Sequence, residues 1–308
     1  MEDIFLTFCE MKLDKLFEET PTSFKVFAFV LEAIILYILG LGIAHYLGYG
    51  MDVERIFLGL GWVILLQLSG FFLSRLYAVN PYTQAKENQR NFPTDPRVSQ
   101  PFILATAFLA SFASLSVLFI AKGYLTPQLF FIMIIGVLGM LILSLPRIRE
   151  VFNGFHEVIL SFLMTFFVPL LGFENIAQNA HRLILMIGLP IFALRLAAVL
   201  GYELSTYAKD IKYLIPTLLV RVGWQNGMFF HNLLILFAFL VLVLAVVFGL
   251  PLGIALPAIS GLILGILQIW NVRKITEGKK PNWSGLIIGD FSLYILVVYF
   301  LAYSFWVR

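Results

Sequence analysis

The chain is short of charge, of cysteine and of histidine. Only 13% of its 308 residues are charged, Cys9 is its single cysteine, and its four histidines are scattered. One cysteine excludes an intrachain disulfide and a cysteine-based metal site, and the scattered histidines offer no zinc-type cluster. Polar surface is equally scarce: 60% of the residues are hydrophobic and mean hydropathy is +0.93. Such a chain cannot cover its apolar mass in water, which excludes a soluble globule. The start, Met1-Glu-Asp-Ile-Phe, is acidic and lacks the basic region of a signal peptide, so no cleavage is expected. Tandem repeats and low-complexity tracts are absent as well.

What is present is a series of long apolar runs. A membrane span needs about 20 such residues. The runs predict nine spans, at 24–47, 56–77, 101–121, 128–145, 157–172, 183–202, 229–248, 251–270 and 286–305. The expectation is an all-α integral membrane protein of the inner or plasma membrane, with one membrane domain over 1–308. Residues 1–23 form its N-terminal segment and 24–305 its nine-span bundle. Within that segment Phe5, Cys9, Leu13 and Leu16 share one helical stripe opposite Glu10, Asp14 and Glu18, the pattern of an interfacial amphipathic helix.

Charge placement orients the bundle. Of the 21 Lys and Arg residues, sixteen fall on the side of the N-terminus and of the loops after spans two, four, six and eight. Arg55, Lys122, Arg182 and Arg308 fall on the other side, and Arg195 lies within span six. By the positive-inside rule the N-terminus is cytoplasmic and the C-terminus outside. The basic loops are explained by topology, and no nucleic-acid partner is expected.

Two polar stretches on the basic side carry most of the remaining information. One, after span two, reads Asn80-Pro-Tyr-Thr-Gln-Ala-Lys-Glu-Asn88 and runs on through Arg90-Asn-Phe-Pro-Thr-Asp-Pro-Arg-Val-Ser99. The other, after span six, reads Tyr202-Glu-Leu-Ser-Thr-Tyr-Ala-Lys-Asp210 and ends in Thr217-Leu-Leu-Val-Arg-Val-Gly223. Between them, Gly154-Phe-His-Glu157 opens span five. Together these stretches resemble the UbiA superfamily of intramembrane aromatic prenyltransferases, most closely its dihydroxynaphthoate branch, which makes menaquinone precursors. The resemblance covers most of 60–230.

The resemblance implies a nine-helix bundle around a lipid-facing cavity, and a reaction in which an allylic diphosphate ionises and alkylates an aromatic ring. It also implies Mg2+ as cofactor if the chain is active. Family members carry Asn-Asp-x-x-Asp-x-x-x-Asp after helix two, whose carboxylates hold magnesium against the diphosphate. In this chain Asn80 matches the asparagine, but Pro81, Gln84 and Asn88 replace the three aspartates. Glu87 is acidic one position off the motif, about 100° around a helix. The second motif places Glu203, Thr206 and Asp210 at its acidic positions, so Glu203 and Asp210 are the candidate metal ligands. Candidates for the diphosphate or substrate site are Asn80, Lys86, Arg90, Glu157, Arg195, Lys209 and Lys212. The four lysines and arginines of the two loops could instead grip a phosphate directly, or serve only as topology markers.

Two functions are compatible with these residues. The first is a scaffold whose cavity accommodates a lipid, quinone or isoprenoid, with weak or lost transfer, and which can serve as a subunit of a membrane complex. The second is an active, divergent transferase that attaches a polyprenyl chain to an aromatic quinone precursor. Inside the spans, Arg195 is expensive to bury and should face a partner or cavity. It lies about 80° around a helix from Glu203, so one polar cavity could be bordered by both. Glu32 in span one needs a partner or a proton, and Gln67 in span two raises the same question. Asp290 is expected to be solvated at the boundary, and His231 and Asn232 to be interfacial.

Overall fold

The computed structural model describes residues 22–77, 96–145, 151–152, 154–179 and 181–308. The expected amphipathic helix and most of the first polar stretch lie outside them. Among the described residues nine helices are long and apolar enough to cross a membrane, and the protein is an integral membrane protein. They are α1 (Thr22–Tyr46), α2 (Val53–Tyr77), α3 (Pro96–Ala121), α4 (Pro127–Ser144), α5 (His156–Ala177), α6 (Arg182–Lys212), α8 (Trp224–Val247), α9 (Leu252–Thr276) and α10 (Trp283–Val307), with a five-residue helix α7 (Leu218–Val222) between α6 and α8.

Connections of four to six residues join α1 to α2, α3 to α4, α5 to α6 and α8 to α9. Loops this short force antiparallel neighbours and place all four turns on one face of the bundle. The other helix ends, and α7, lie on the opposite face, called here the loop face. Helix α6 packs along α8 and α10, α1 along α5 and α10, and α2 along α3 and α4. Apolar packing supplies little net drive between helices in lipid, so close approach and internal hydrogen bonds matter more. Gly40 of α1 lies against the Pro169 carbonyl and Gly172 of α5 against that of Tyr37. About one turn further along the same seam, Asn175 donates to Tyr37 Oη (3.1 Å) and to the Arg55 carbonyl (2.6 Å), tying α1, α5 and α2 together.

Several boundaries differ from the sequence reading. Span five was expected to end at 172, three residues after Pro169, yet α5 continues to Ala177. A π turn over Leu163–Phe167 precedes the proline, and a looser turn accommodates both the missing N–H and the ring. Span six was expected to end at 202, but α6 runs to Lys212, so the second polar stretch is helix rather than loop. Its Glu203 and Asp210 faces are buried against neighbouring elements, which stabilises helix where hydropathy alone predicted exit. Helix α9 is broken at Ser260 and Gly261, three and four residues after the in-helix Pro257.

Candidate functional site

The motif at 217–223 forms α7, and its residue types explain why. Thr217 is the N-cap and its hydroxyl accepts from Val220 N at 3.3 Å. Gly223 ends the helix at φ +88°, a conformation that favours glycine. Glu203 reaches across from α6 and its Oε2 accepts from Leu219 N at 2.9 Å, so two orphan donors of the first turn are satisfied by side chains. Thr217→Ala should therefore lower stability by about 1 kcal/mol, read as a thermal shift in detergent; no shift would mean Glu203 alone suffices. On the other side of α7, Arg221 lies over the Phe155 ring (4.4 Å) and against Gly154, itself at φ +77°. The Gly154-to-Glu157 entry of α5 and the α6 acids are thereby brought to one place by the short helix.

Glu203 and Asp210 are buried, at 4% and 7% exposure, as is Glu157. The Glu203 carboxyl lies within interaction range of both Glu157 and Asp210. Asp210 Oδ2 accepts from the Thr206 hydroxyl at 2.7 Å, so the neutral residue at the middle motif position holds one of the acids. Glu157 Oε1 pairs with His156 Nε2 at 2.8 Å, while its Oε2 is buried without a partner. Lys209 and Lys212 are exposed in the last turn of α6, where they complement the helix dipole. Asn80, Lys86 and Arg90 lie outside the described residues.

Arg195 is placed elsewhere. Its Nε and Nη2 donate to Glu32 Oε1 (2.6 Å) and Oε2 (3.3 Å), and its Nη1 donates to Ser161 Oγ (2.9 Å). Tyr294 Oη donates to Glu32 Oε1 at 2.8 Å. This forked pair joins α6, α1, α5 and α10, and both intramembrane charges find each other. The sequence had marked Arg195 and Glu32 as costly; it held no signal for Ser161 or Tyr294. Asp290 and His231 correct their expectations. They are 2% and 0% exposed and pair at 2.9 Å, because α8 and α10 begin at Trp224 and Trp283, about two turns before them.

An apolar cavity of about 380 Å³ lies between α1, α2, α4 and α5. Ser74, Ser144 and His156 sit at its loop-face end, Gln67 partway along, and Phe167 and Val168 at its deep end. The size falls in the range of small-molecule sites, and the mostly apolar lining with few polar groups suits an amphipathic ligand. Helix α5 divides this cavity from the acids: His156, Leu160, Leu163 and Met164 face the cavity, whereas Glu157 faces Glu203 and Ser161 faces Arg195. His156 alone touches both, lining the cavity and pairing with Glu157.

Hard oxygen donors are what magnesium requires. Here each of Glu203, Asp210 and Glu157 already spends one oxygen on a protein donor. Among the described residues no three His, Cys, Asp or Glu side chains are placed to hold a metal ion. Each acid keeps a second oxygen, and among the described residues these three do not form a two-metal magnesium–diphosphate centre.

No protein-family model and no curated protein matches the sequence. Solved structures do match the fold. A structure of digeranylgeranylglyceryl phosphate synthase aligns with TM-score 0.66 at 14% identity, over 91% of this chain and 93% of that one. An apo UbiA homologue from Aeropyrum pernix K1 aligns with TM-score 0.57 at 11% identity, over 89% and 97%. A UbiA homologue from Archaeoglobus fulgidus, bound to GPP and Mg2+, aligns with TM-score 0.55 at 14% identity, over 90% and 97%. Nine spans, a loop-face site at the ends of α5 and α6, and alignment over nine-tenths of the chain lead to one conclusion: this protein has the fold of the UbiA-type membrane prenyltransferases.

Proposed function

We propose that the chain binds an isoprenoid or quinone-like lipid in the cavity between α1, α2, α4 and α5, and that its capacity for prenyl transfer is weak or lost. The loop face is read as cytoplasmic, with the N-terminus inside and the C-terminus outside, from the bias of basic residues. One observation carries the reading: a formed apolar cavity stands beside three acids that each have one oxygen engaged, by Leu219 N–H, the Thr206 hydroxyl and His156. The binding half of the site is built, and of the acids that would face a departing diphosphate Glu203 is used to cap α7. The neutral Pro81, Gln84 and Asn88 point the same way.

At the loop-face end the Ser74 and Ser144 hydroxyls, which donate to the Phe71 and Gly70 carbonyls, can still accept from a polar head, and deeper in Gln67 Oε1 is a buried acceptor without a partner; the remaining wall is apolar and suits a tail.

The second reading, an active divergent transferase attaching a polyprenyl chain to an aromatic acceptor, is favoured by the proximity of Glu157, Glu203 and Asp210. One experiment separates the two: purified protein incubated with a labelled polyprenyl diphosphate, an aromatic acceptor and Mg2+. Binding without product is expected. Turnover that disappears in Glu203→Gln and Asp210→Asn would sink the first reading and establish the second. A role as subunit of a membrane complex predicts partners recovered in fixed ratio after mild detergent extraction; a monodisperse, partner-free protein counts against it.

A further inference from the structure

The polar side chains that line the cavity, among the described residues, are Gln67 and Ser74 of α2, Ser144 of α4 and His156 of α5. Most of their hydrogens are already committed. Ser74 Oγ donates to the Phe71 carbonyl at 2.8 Å and Ser144 Oγ to the Gly70 carbonyl at 3.1 Å. A hydroxyl has one hydrogen, so both serines have only acceptor capacity left. The Ser144 bond also ties α4 to α2, and in lipid such interhelical bonds help hold a bundle together. His156 pairs through Nε2 with Glu157 Oε1, which leaves the neutral ring an acceptor at Nδ1.

Gln67 has its oxygen to offer. Its Nε2 donates to Met164 Sδ at 3.1 Å, while Oε1 is buried without a partner. The thioether fixes this orientation, because the reversed amide would set two acceptors against each other with no hydrogen between them. A thioether is also a weak acceptor, so little resists turning the amide until Oε1 meets a ligand. The amide has one further hydrogen. Against it stand Oε1, the two serine oxygens and the sulfurs of Met140 and Met164, which line the same space. Gln67, the Ser144 partner Gly70, and Ser74 succeed one another on one face of α2, about 4.5 and 6 Å apart in helix rise. The acceptors thus form a column running from the loop-face end towards the membrane middle.

We propose that the cavity selects an isoprenoid lipid whose head donates hydrogen bonds through free hydroxyls, over the matching ether, and that Gln67 and Ser74 set this preference. The proposal rests on the lipid-binding reading above and narrows its ligand class. An entering hydroxyl finds acceptors ready, at the expense of no more than the weak thioether bond of Gln67. An ether oxygen at the same place sets lone pairs against lone pairs. It leaves Gln67 Oε1 buried and unpaired, so the desolvation cost of that group is never recovered. Its remaining donors are the one amide hydrogen and the serine hydroxyls, and releasing that of Ser144 would open the bond between α4 and α2.

The test compares farnesol and a farnesyl hydroquinone, each against its own methyl ether, as tritiated ligands retained by the full chain in immobilised lipid nanodiscs, with empty nanodiscs subtracted. The unsubstituted protein should hold the hydroxyl form at least about tenfold more tightly, which one recovered bond to a buried acceptor supplies. Preference in the farnesol pair assigns an aliphatic alcohol; preference confined to the hydroquinone pair assigns an aromatic head; either supports the proposal. Gln67→Met keeps the length of the side chain without its oxygen, and Ser74→Ala removes the other acceptor. Each should lower the ratio of the two affinities at least about threefold, as expected when one of several acceptors is lost. The ratio is read within one preparation, so a fraction of misfolded protein affects both ligands alike and cancels. Equal affinity for hydroxyl and ether overturns the preference and leaves the lipid-binding reading standing. A ratio unchanged in both variants overturns the assignment to Gln67 and Ser74. If neither form is retained by the unsubstituted protein, the lipid-binding reading falls and the preference with it.

Discussion

Replacing Arg195 by Met should destabilise the protein by about 3–5 kcal/mol, the cost of leaving one member of a buried pair without its partner. Three donors of the guanidinium are used, two on Glu32 and one on Ser161, and Tyr294 adds a third bond to the Glu32 carboxylate. Removing Arg195 leaves the mostly buried Glu32 carboxylate at membrane depth with Tyr294 as its remaining donor. The lower end of the range is expected, because helices unfolded within a membrane find substitute partners. Removing both charges as Glu32→Leu with Arg195→Met should recover most of the loss, since an apolar pair of similar volume is often as stable as the ion pair. Denaturant or thermal unfolding in detergent reads both. A single-variant cost below about 1 kcal/mol would mean that the pair contributes no more than an exposed salt bridge.

The second large effect concerns the cavity. Leu160→Trp should weaken binding of a polyprenyl lipid on the order of 100-fold, because an indole projecting from α5 would displace three or more tail methylenes from the wall formed with α2 and α4. Stability should be unchanged or slightly raised, since the ring fills space rather than crowding a packed core. Titration with a fluorescent or radiolabelled polyprenyl diphosphate gives the affinity, and a melt of the same sample gives the stability. Full affinity in a well-folded Leu160→Trp protein would place the ligand outside this cavity and remove the main support for the proposed function.

Much of the fold was legible because hydropathy is a local property. Apolar runs of sufficient length place a helix in lipid whatever their neighbours, and all nine predicted runs are helices. The boundaries that moved are those where neighbours intervene. Glu203 and Asp210 looked like the polar edge of a loop, yet α7 and α5 cover them and the helix runs on for ten residues beyond the predicted end. Asp290 looked solvated until α8 supplied His231.

The candidate site was legible only in part. The family resemblance marked Glu157, Glu203 and Asp210, and depth within a span marked Arg195 and Glu32 as costly, because an ionisable group at membrane depth requires an explanation. Spacing along one helix allowed Arg195 and Glu203 to share a cavity, but the choice depends on what faces each from other helices. Arg195 met Glu32, 163 residues away in sequence, and Glu203 met the first turn of α7. The cavity had no local signature, since its wall is built from four helices whose residues look like any other lipid-facing or core positions.

The sequence by itself determined a membrane protein with nine apolar spans among the described residues and a strong bias of basic charge to one face. Those properties follow from composition and spacing within single segments. Tertiary structure decided which charges pair, that the second polar stretch is helix capping a one-turn neighbour, and that an apolar cavity lies on the far side of α5 from the acids. Hydrogen bonds and voids exist only between elements, and their partners are set by how helices cross rather than by any one helix.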